Sequence, residues 1–314
     1  MKRKLFAGNS NINLATKISN ILNQTLEPTE VGTFSDGEIR IELKNNVRGS
    51  DAFIIQSTCA PSNNNLMELL LLADALKRAS AAKIIAIVPY IGYTRQDRRP
   101  GYQRVPISAR VIADLMEVVK IDHVVTIDLH ATQVQGFFSV PVDNLSPTRL
   151  YVQDINSHHN LSDIVVVSPD VGGVARARNI AKFLNNADLA IIDKRRPKAN
   201  VAEIMHIIGD VENKTCVLVD DMLDTGGTIC KAADILIERG GAKKVVAYCT
   251  HGILSGSARD NINNSKIAEI VVTDTVPVVI SDTDPKIRQL SVANIIADTI
   301  DRIYMGHSVS EIVN

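Results

Sequence analysis

The chain has 314 residues, 45% of them apolar and 22% charged, with a formal charge of −1. That composition excludes a disordered chain, which needs fewer apolar residues and more net charge, and a basic protein drawn as a whole to nucleic acid or an anionic membrane. With no Trp and 4% aromatics, stacking platforms for bases are also scarce.

The N-terminus, Met1-Lys2-Arg3-Lys4, is basic, but only Leu5-Phe6-Ala7 follows before Gly8-Asn9-Ser10, too short for the apolar centre of a signal peptide. Apolar, β-branched runs then recur at 53–56, 84–88, 124–127, 164–167, 189–192, 216–219, 245–248 and 270–272. Their apolarity is continuous rather than alternating, as in strands buried on both faces of a parallel sheet. Helical spacing lies between them. Over 65–80 it puts Leu66, Leu69, Leu70, Ala73 and Leu76 on one face; over 107–119, Ile107, Val111, Leu115 and Val118; a third helix over 228–239 stops at Gly240-Gly241. The alternation predicts an α/β fold of parallel sheets with helical cover, whose ligands collect beyond the carboxyl ends of the strands. The loop-like stretch 141–148 near mid-chain is the expected domain boundary.

No apolar block approaches the ~18–20 residues that span a bilayer. Cys59, Cys216, Cys230 and Cys249 form no CxxC pair and no zinc spacing, and each lies in or beside an apolar run. They read as small buried hydrophobes in a reducing compartment, so a cytoplasmic location is expected, with neither membrane nor nucleic acid as partner.

The residues after the strands carry the chemistry. Val217-Leu218-Val219 leads into Asp220-Asp221-Met222-Leu223-Asp224-Thr225-Gly226-Gly227-Thr228 and then a helix. A Gly-Gly turn entering a helix offers free backbone N–H groups and a positive dipole end to a phosphate. Thr225 and Thr228 add hydroxyl donors, and two carboxylates at the strand end suit a sugar's vicinal hydroxyls. The whole reads as a ribose-phosphate cradle. Arg95, Arg98 and Arg99 make a cationic loop after another strand, and Asp193-Lys194-Arg195-Arg196-Pro197-Lys198 sets four cations within five residues after a third. Asp128 and His130 share a face if their strand continues that far.

VLVDDMLDTGGT resembles the phosphoribosyl-diphosphate signature of type I phosphoribosyltransferase-like proteins. The ordered motifs Phe34-Ser35-Asp36-Gly37-Glu38, Arg95-Gln96-Asp97-Arg98, Asp128-Leu129-His130-Ala131, Ser168-Pro169-Asp170-Val171-Gly172-Gly173 and Asp193-Lys194-Arg195-Arg196-Pro197 narrow the resemblance to the ribose-phosphate diphosphokinases (phosphoribosyl-diphosphate synthetases) of class I bacterial type. It covers essentially the whole chain.

The resemblance implies an enzyme that transfers the β,γ-diphosphoryl group of ATP to the 1-hydroxyl of ribose 5-phosphate, giving 5-phosphoribosyl 1-diphosphate and AMP for nucleotide, His and Trp biosynthesis. It implies two similar phosphoribosyltransferase-like α/β domains, each a mainly parallel sheet flanked by helices. Residues 1–146 carry the ATP motifs and 147–305 the ribose 5-phosphate site and catalytic loop, with the tail 306–314 packing on the first domain. The roles it implies are ATP binding by Asp36, Gly37, Glu38, Arg95 and Gln96, and catalysis by Lys194 and Arg196 on a mobile loop. Ribose 5-phosphate would meet Arg196, Asp220, Asp221, Asp224, Thr225, Gly226, Gly227 and Thr228, and Mg2+ would meet His130 and Asp170. Positioned cations and Mg2+ are what diphosphoryl transfer needs, because its negative charge spreads over phosphoryl oxygens.

The same resemblance implies a homohexamer built from dimers, with phosphate and ADP as effectors near Ser50, Arg104, Ser308 and Ser310. Arg99-Pro100-Gly101-Tyr102-Gln103-Arg104 departs from the family's run, which is richer in Arg, Ser and Lys, and this predicts weaker dependence on phosphate. Two other readings share the cradle: a phosphoribosyltransferase that consumes phosphoribosyl diphosphate, and a non-catalytic regulatory subunit. The motif at 34–38 and the intact cations at 194–196 favour the synthetase.

Overall fold

The computed structural model describes residues 2–195 and 204–313. They form two compact units. Unit 1 runs to Ser146 and takes in Thr275–Pro277 and the chain from Ser291; unit 2 comprises Pro147–Asp274 and Val278–Leu290.

In unit 1, strands β1 (Arg3–Ala7), β4 (Asp51–Ile55), β5 (Lys83–Ile87), β6 (His123–Ile127) and β7 (Val142–Leu145) form one sheet in that order, parallel throughout. Strands β2 (Thr29–Thr33) and β3 (Ile39–Leu43) pair antiparallel as a separate hairpin. Helices α1 (Ile12–Ile21), α2 (Ser62–Arg78) and α3 (Ser108–Val118) follow β1, β4 and β5. The Asn11 side chain starts α1 by accepting the Leu14 N–H at 3.2 Å. Helix α2 buries the face expected of it, Leu66, Leu69, Leu70, Ala73 and Leu76. Helix α3 does not: it buries Ala109, Ile112, Ala113 and Met116, while Val111, Leu115 and Val118 are exposed. The alanines let α3 lie close to its neighbours, a face that a search for large apolar residues overlooks.

Unit 2 begins with α4 (Thr148–His158). Its sheet runs β10 (Ile204–Ile208), β9 (Asp188–Arg195), β8 (Ile164–Ser168), β11 (Thr215–Leu223), β12 (Lys244–Gly252), β13 (Glu269–Thr273) and β14 (Ile287–Leu290). Only β10 is antiparallel to its neighbour. Helices α5 (Val174–Phe183), α6 (Gly227–Glu238) and α7 (Ala258–Asn264) follow β8, β11 and β12. Strand β11 is buried at every position from Cys216 to Val219, which is why the run reads as continuously apolar.

The two sheets repeat one plan: β1–β7 answers β8–β14 strand for strand, and the pairing registers coincide. Leu5 faces Phe53 as Val166 faces Val217, and Asp51 faces Lys83 as Thr215 faces Lys244. At the far edge, Ile127 faces Leu145 as Thr273 faces Leu290. On this register Asn9 corresponds to Asp170, Gln56 to Asp220 and Ser57 to Asp221.

One feature breaks the expected division. Helix α8 (Ala293–Met305) was expected with residues 147–305, but it belongs to unit 1. It packs beside α1, burying Ala293, Ile296, Ala297 and Ile300, and Arg3 pairs with Asp301 at 2.7 Å. Each such buried isoleucine contributes about 1.5–3 kcal/mol. By the same exchange α4, which follows β7, belongs to unit 2, where Asp154 accepts both terminal nitrogens of Arg288 at 2.7 Å and the Tyr248 hydroxyl at 2.7 Å. The stretch 141–148, read as loop, also contains the edge strand β7.

Candidate active site

In unit 2, β11 delivers Asp220 and Asp221 near its carboxyl end, and Asp224, Thr225 and Gly226 lead into α6. Gly226 adopts φ +74°, the left-handed region, and α6 starts without a side-chain cap. Its first N–H groups are therefore available to an anion. The loop is held from outside: Ser255 N–H donates to the Asp224 carbonyl at 3.1 Å, Ser255 Oγ donates to Asp224 Oδ1, and Asn261 Nδ2 donates to the Thr225 carbonyl at 2.8 Å. A Cβ on Gly226 would lie 3.5 Å from the Ala258 carbonyl. Thr225 and Thr228 are exposed. This is a preformed anion cradle with hydroxyls at its mouth.

Beside it stands the acid pair. The Asp221 N–H donates to Asp220 Oδ1 at 2.9 Å. Burial, and then the charge of Asp221, push the Asp220 carboxyl up to about 8. Arg176, on α5, offsets this in part: its Nη1 lies 4.0 Å from Asp220 Oδ1 and 3.8 Å from Asp221 Oδ1. On the neighbouring strand β8, the Ser168 hydroxyl donates to the Asp170 carbonyl at 2.6 Å, and Asp170 Oδ1 accepts the Gly173 N–H at 2.9 Å. A Cβ on Gly173 would stand 2.8 Å from Ser168 Oγ and 3.9 Å from Arg176 Nη1, so a side chain here would displace the Ser168 hydroxyl. Asp170 and the acid pair are among the residues expected from the sequence; Arg176 is not. The available signal was an arginine in the first turn of a helix that opens on a strand-end Gly-Gly.

Unit 1 gathers the other expected groups at the ends of β5 and β6. The Gln96 carbonyl accepts the Ala109 N–H at 3.2 Å, and its Oε1 accepts from Ser108 Oγ at 3.4 Å, so Gln96 helps start α3. Arg95 is exposed. Asp97 Oδ2 accepts from Gln133 Nε2 at 2.7 Å, which ties this loop to the segment after β6 carrying the exposed His130. Strand β6 stops at Ile127 and Asp128 turns to φ +46°, so the alternation that would put Asp128 and His130 on one face does not extend to them.

Asp36, Gly37 and Glu38 form the exposed turn of the β2–β3 hairpin. The Gly37 N–H bonds the Phe34 carbonyl at 3.0 Å, Asp36 Oδ1 accepts the Glu38 N–H at 3.1 Å, and Gly37 takes φ +93°. Lys194 lies on the last residues of β9; Arg196 lies outside the described residues. Of the four expected effector contacts, Arg104, Ser308 and Ser310 are exposed, and the two serine hydroxyls are 2.6 Å apart. Ser50 is buried, and its hydroxyl donates to the Val47 carbonyl at 2.7 Å. All four cysteines are buried, and none forms a disulfide. Burial raises Cys59 to about 11 and Cys216 to about 12, which keeps them protonated and unreactive. Among the described residues, no helix is long and apolar enough to cross a membrane.

Comparison with known proteins adds to this geometry. A family model described as the N-terminal domain of ribose phosphate pyrophosphokinase matches residues 3–119, and one described as the phosphoribosyl synthetase-associated domain matches residues 165–314. The chain is 57% identical over 312 residues to a ribose-phosphate pyrophosphokinase of a Marinomonas species, covering 98% of both chains. It is 55% identical over 314 residues to that of Haemophilus influenzae, covering 99% of both. Its fold is similar to the crystal structure of phosphoribosylpyrophosphate synthetase from Mycobacterium smegmatis, with a TM-score of 0.91 and 40% identity over 98% of this chain and 100% of that one.

Proposed function

The chain belongs to the ribose-phosphate pyrophosphokinase family, and we propose that it performs the family's reaction with the strand-end groups described above. That reaction moves the β,γ-diphosphoryl group of ATP to the 1-hydroxyl of ribose 5-phosphate and releases AMP. The observation that carries the assignment of residues is the cradle after β11, where a carboxylate pair adjoins a glycine-opened helix N-terminus. Asp220 and Asp221 accept hydrogen bonds from the ribose hydroxyls. Asp224, Thr225, Gly226, Gly227 and Thr228 form the loop that takes the 5-phosphate through backbone N–H and hydroxyl donors. Asp36, Gly37 and Glu38, with Arg95 and Gln96, bind ATP. Lys194 and Arg196 bring positive charge to the transferring group, and Arg196 also meets the sugar phosphate.

The metal is read as Mg2+, the ion that the resemblance implies. Among the described residues no group of three or more His, Cys, Asp or Glu is placed to cage an ion. Mg2+ dehydrates reluctantly and is commonly held by one or two protein ligands plus substrate phosphates. Asp170, oriented by the Gly173 N–H, supplies the oxygen donor that Mg2+ prefers, and His130 is the expected but chemically less usual nitrogen donor. When bound, the ion neutralises charge on the diphosphoryl oxygens.

The exposed apolar residues Val111, Leu115 and Val118 of α3 support a homo-oligomer, read here as a homohexamer built from dimers. Phosphate and ADP are proposed effectors, acting at Arg104, Ser308 and Ser310; Ser50 is left out because its hydroxyl is buried and engaged. Four buried cysteines without a disulfide among them support work in the reducing cytoplasm. The full-length relatives give no support to the phosphoribosyltransferase or non-catalytic readings.

The test is AMP release from ATP and Mg2+ with and without ribose 5-phosphate. AMP formed only when the sugar phosphate is present is the expected result. No AMP at any phosphate concentration would overturn the assignment.

A further inference from the structure

The β2–β3 hairpin stands outside its sheet. At its base the chain still runs beside β1: Leu5 bridges Leu26, and the Glu27 N–H bonds the Leu5 carbonyl at 2.7 Å. Pro28 faces the other way, its carbonyl accepting the Lys44 N–H at 3.2 Å, and from Thr29 on β2 pairs with β3 instead of β1. Above that point a side chain takes over. Asn9, just past the end of β1, donates from Nδ2 to the Val31 carbonyl of β2 at 3.2 Å and to Glu68 Oε1 at 2.9 Å. An amide NH2 has two hydrogens, and both are engaged.

Glu68 is the anchor. It lies on α2, more than nine-tenths buried. Its Oε2 accepts the Asn9 N–H at 2.9 Å and Gln56 Nε2 at 2.9 Å, while Gln56 Oε1 accepts the Ser10 N–H at 3.1 Å. A buried carboxylate with three donors has a fixed orientation, so Asn9 is held from two sides and passes that order on to Val31. Val31 is three residues before Phe34, where the exposed turn begins. On the shared register, Asn9 and Gln56 occupy the positions that hold Asp170 and Asp220 in unit 2. Unit 1 thus turns its strand-end polar groups toward the hairpin.

We propose that Asn9, fixed by Glu68, is a positioning residue for ATP: it sets the placement of the hairpin that presents Asp36, Gly37 and Glu38. The inference rests on the reading, proposed above, that this turn meets the nucleotide.

The test separates grip on the hairpin from fold integrity. Asn9→Ala removes both side-chain bonds and should raise the KM for ATP about fivefold to tenfold. kcat and the KM for ribose 5-phosphate should stay within about twofold. Asn9→Asp puts a carboxylate against Glu68 and should lower Tm by several degrees, on the order of 1–2 kcal/mol at this size. The double variant Asn9→Asp with Glu68→Gln reverses the polarity of that contact: the new amide keeps its acceptor toward Gln56 and donates to the new carboxylate. It should recover the wild-type Tm yet keep the raised KM for ATP, because a carboxylate cannot donate to Val31.

A double variant with wild-type KM for ATP would overturn the proposal, as would an Asn9→Ala enzyme in which all three kinetic constants move together. Glu38→Ala calibrates the turn. If it leaves the KM for ATP unchanged, the nucleotide reading of the turn fails and the positioning role falls with it. If it raises that KM and Asn9→Ala does not, the positioning role alone is wrong.

Discussion

The two units carry one strand plan and different chemistry past the strand ends. After β11 stand Asp220 and Asp221; at the same register after β4 stand Gln56 and Ser57. After β8 comes Asp170 and after β1 comes Asn9. In unit 1 the polar groups are satisfied internally: Gln56 donates to Glu68, and the Ser57 hydroxyl donates to the Thr275 carbonyl at 2.6 Å. In unit 2 the acids face one another and an arginine, and the neighbouring helix opens on Gly226. A repeated sheet therefore fixes where a ligand can sit, while the first few residues beyond each strand decide whether one is bound there or the space is filled by protein.

The hairpins differ in the same way. In unit 2, β9 stays in the sheet beside β8, and the cationic run begins at its end. In unit 1 the hairpin leaves the sheet and its turn is acidic. The sharpest test of that contrast is Lys194→Ala. If Lys194 acts on the transferring group as proposed, its loss should lower kcat by about 10^2- to 10^3-fold without changing Tm, whereas Asp36→Ala should act chiefly on the KM for ATP. An enzyme that keeps more than a tenth of its kcat without Lys194 would remove the division of labour between the hairpins.

The exchanged helices offer the next comparison. Asp154 on α4 is nearly buried, takes two bonds from Arg288 and one from Tyr248, and is held below its ordinary value by those bonds against the cost of its burial. Asp154→Ala leaves Arg288 with Glu269 alone and should cost about 3 kcal/mol. Asp301 on α8 is half exposed, and Arg3 keeps Gln24 at 2.7 Å and the Tyr304 ring after its loss. Asp301→Ala should therefore cost less than about 1 kcal/mol. Urea unfolding of the two variants measures both; equal losses would mean that the two helices are clasped alike.

How much of this the sequence discloses follows the same physics. Strands buried on both faces announce themselves as unbroken apolar runs, and all eight runs fall in β4, β5, β6, β8, β9, β11, β12 and β13. The strands that escape notice are the edge and hairpin strands, such as β3 with IRIEL and β14 with IRQL, whose polar residues interrupt the apolar run. The cradle after β11 was legible because glycine, threonine and paired acids after an apolar strand have few structural uses together. Arg176 and Asn9 were not, because a lone arginine on a helix and a lone asparagine in a turn are ordinary until their partners are seen. The parting of α4 and α8 from their own halves leaves no mark in composition, since a helix buries the same stripe whichever sheet it covers.

Gly226 tests the cradle at its narrowest point. At φ +74° a side chain costs about 1–2 kcal/mol, and its Cβ would also touch the Ala258 carbonyl and Ile262. Gly226→Ala should raise the KM for ribose 5-phosphate about tenfold or more while leaving the KM for ATP near its wild-type value. Gly227→Ala is the control, because its Cβ would meet nothing closer than Thr225 Oγ1 at 3.9 Å. Equal responses from the two would mean that the left-handed turn does not shape the site, and unit 2 would lose its main distinction from unit 1.

The smallest effect is the most specific to the acid pair. Asp220 has its carboxyl raised to about 8 by burial and by Asp221, against 3.8 for an ordinary aspartate. The folded protein thus holds a proton that the unfolded chain has released between those values. Its contribution to stability must fall as pH rises from about 4 toward about 8. Asp220→Asn carries no such charge, as Gln56 carries none at the matching place in unit 1. The variant should therefore gain stability over the wild type, and the gain should be larger at pH 8 than at pH 5. It should also lose affinity for ribose 5-phosphate, because an amide accepts hydrogen bonds at one atom where a carboxylate accepts at two. A stability difference that is the same at both pH values would show that Asp220 titrates like an exposed aspartate. The repulsion stored between Asp220 and Asp221 would then be too weak to drive the uptake of a sugar's hydroxyls or a cation, and the contrast with Gln56 and Ser57 would be one of shape alone.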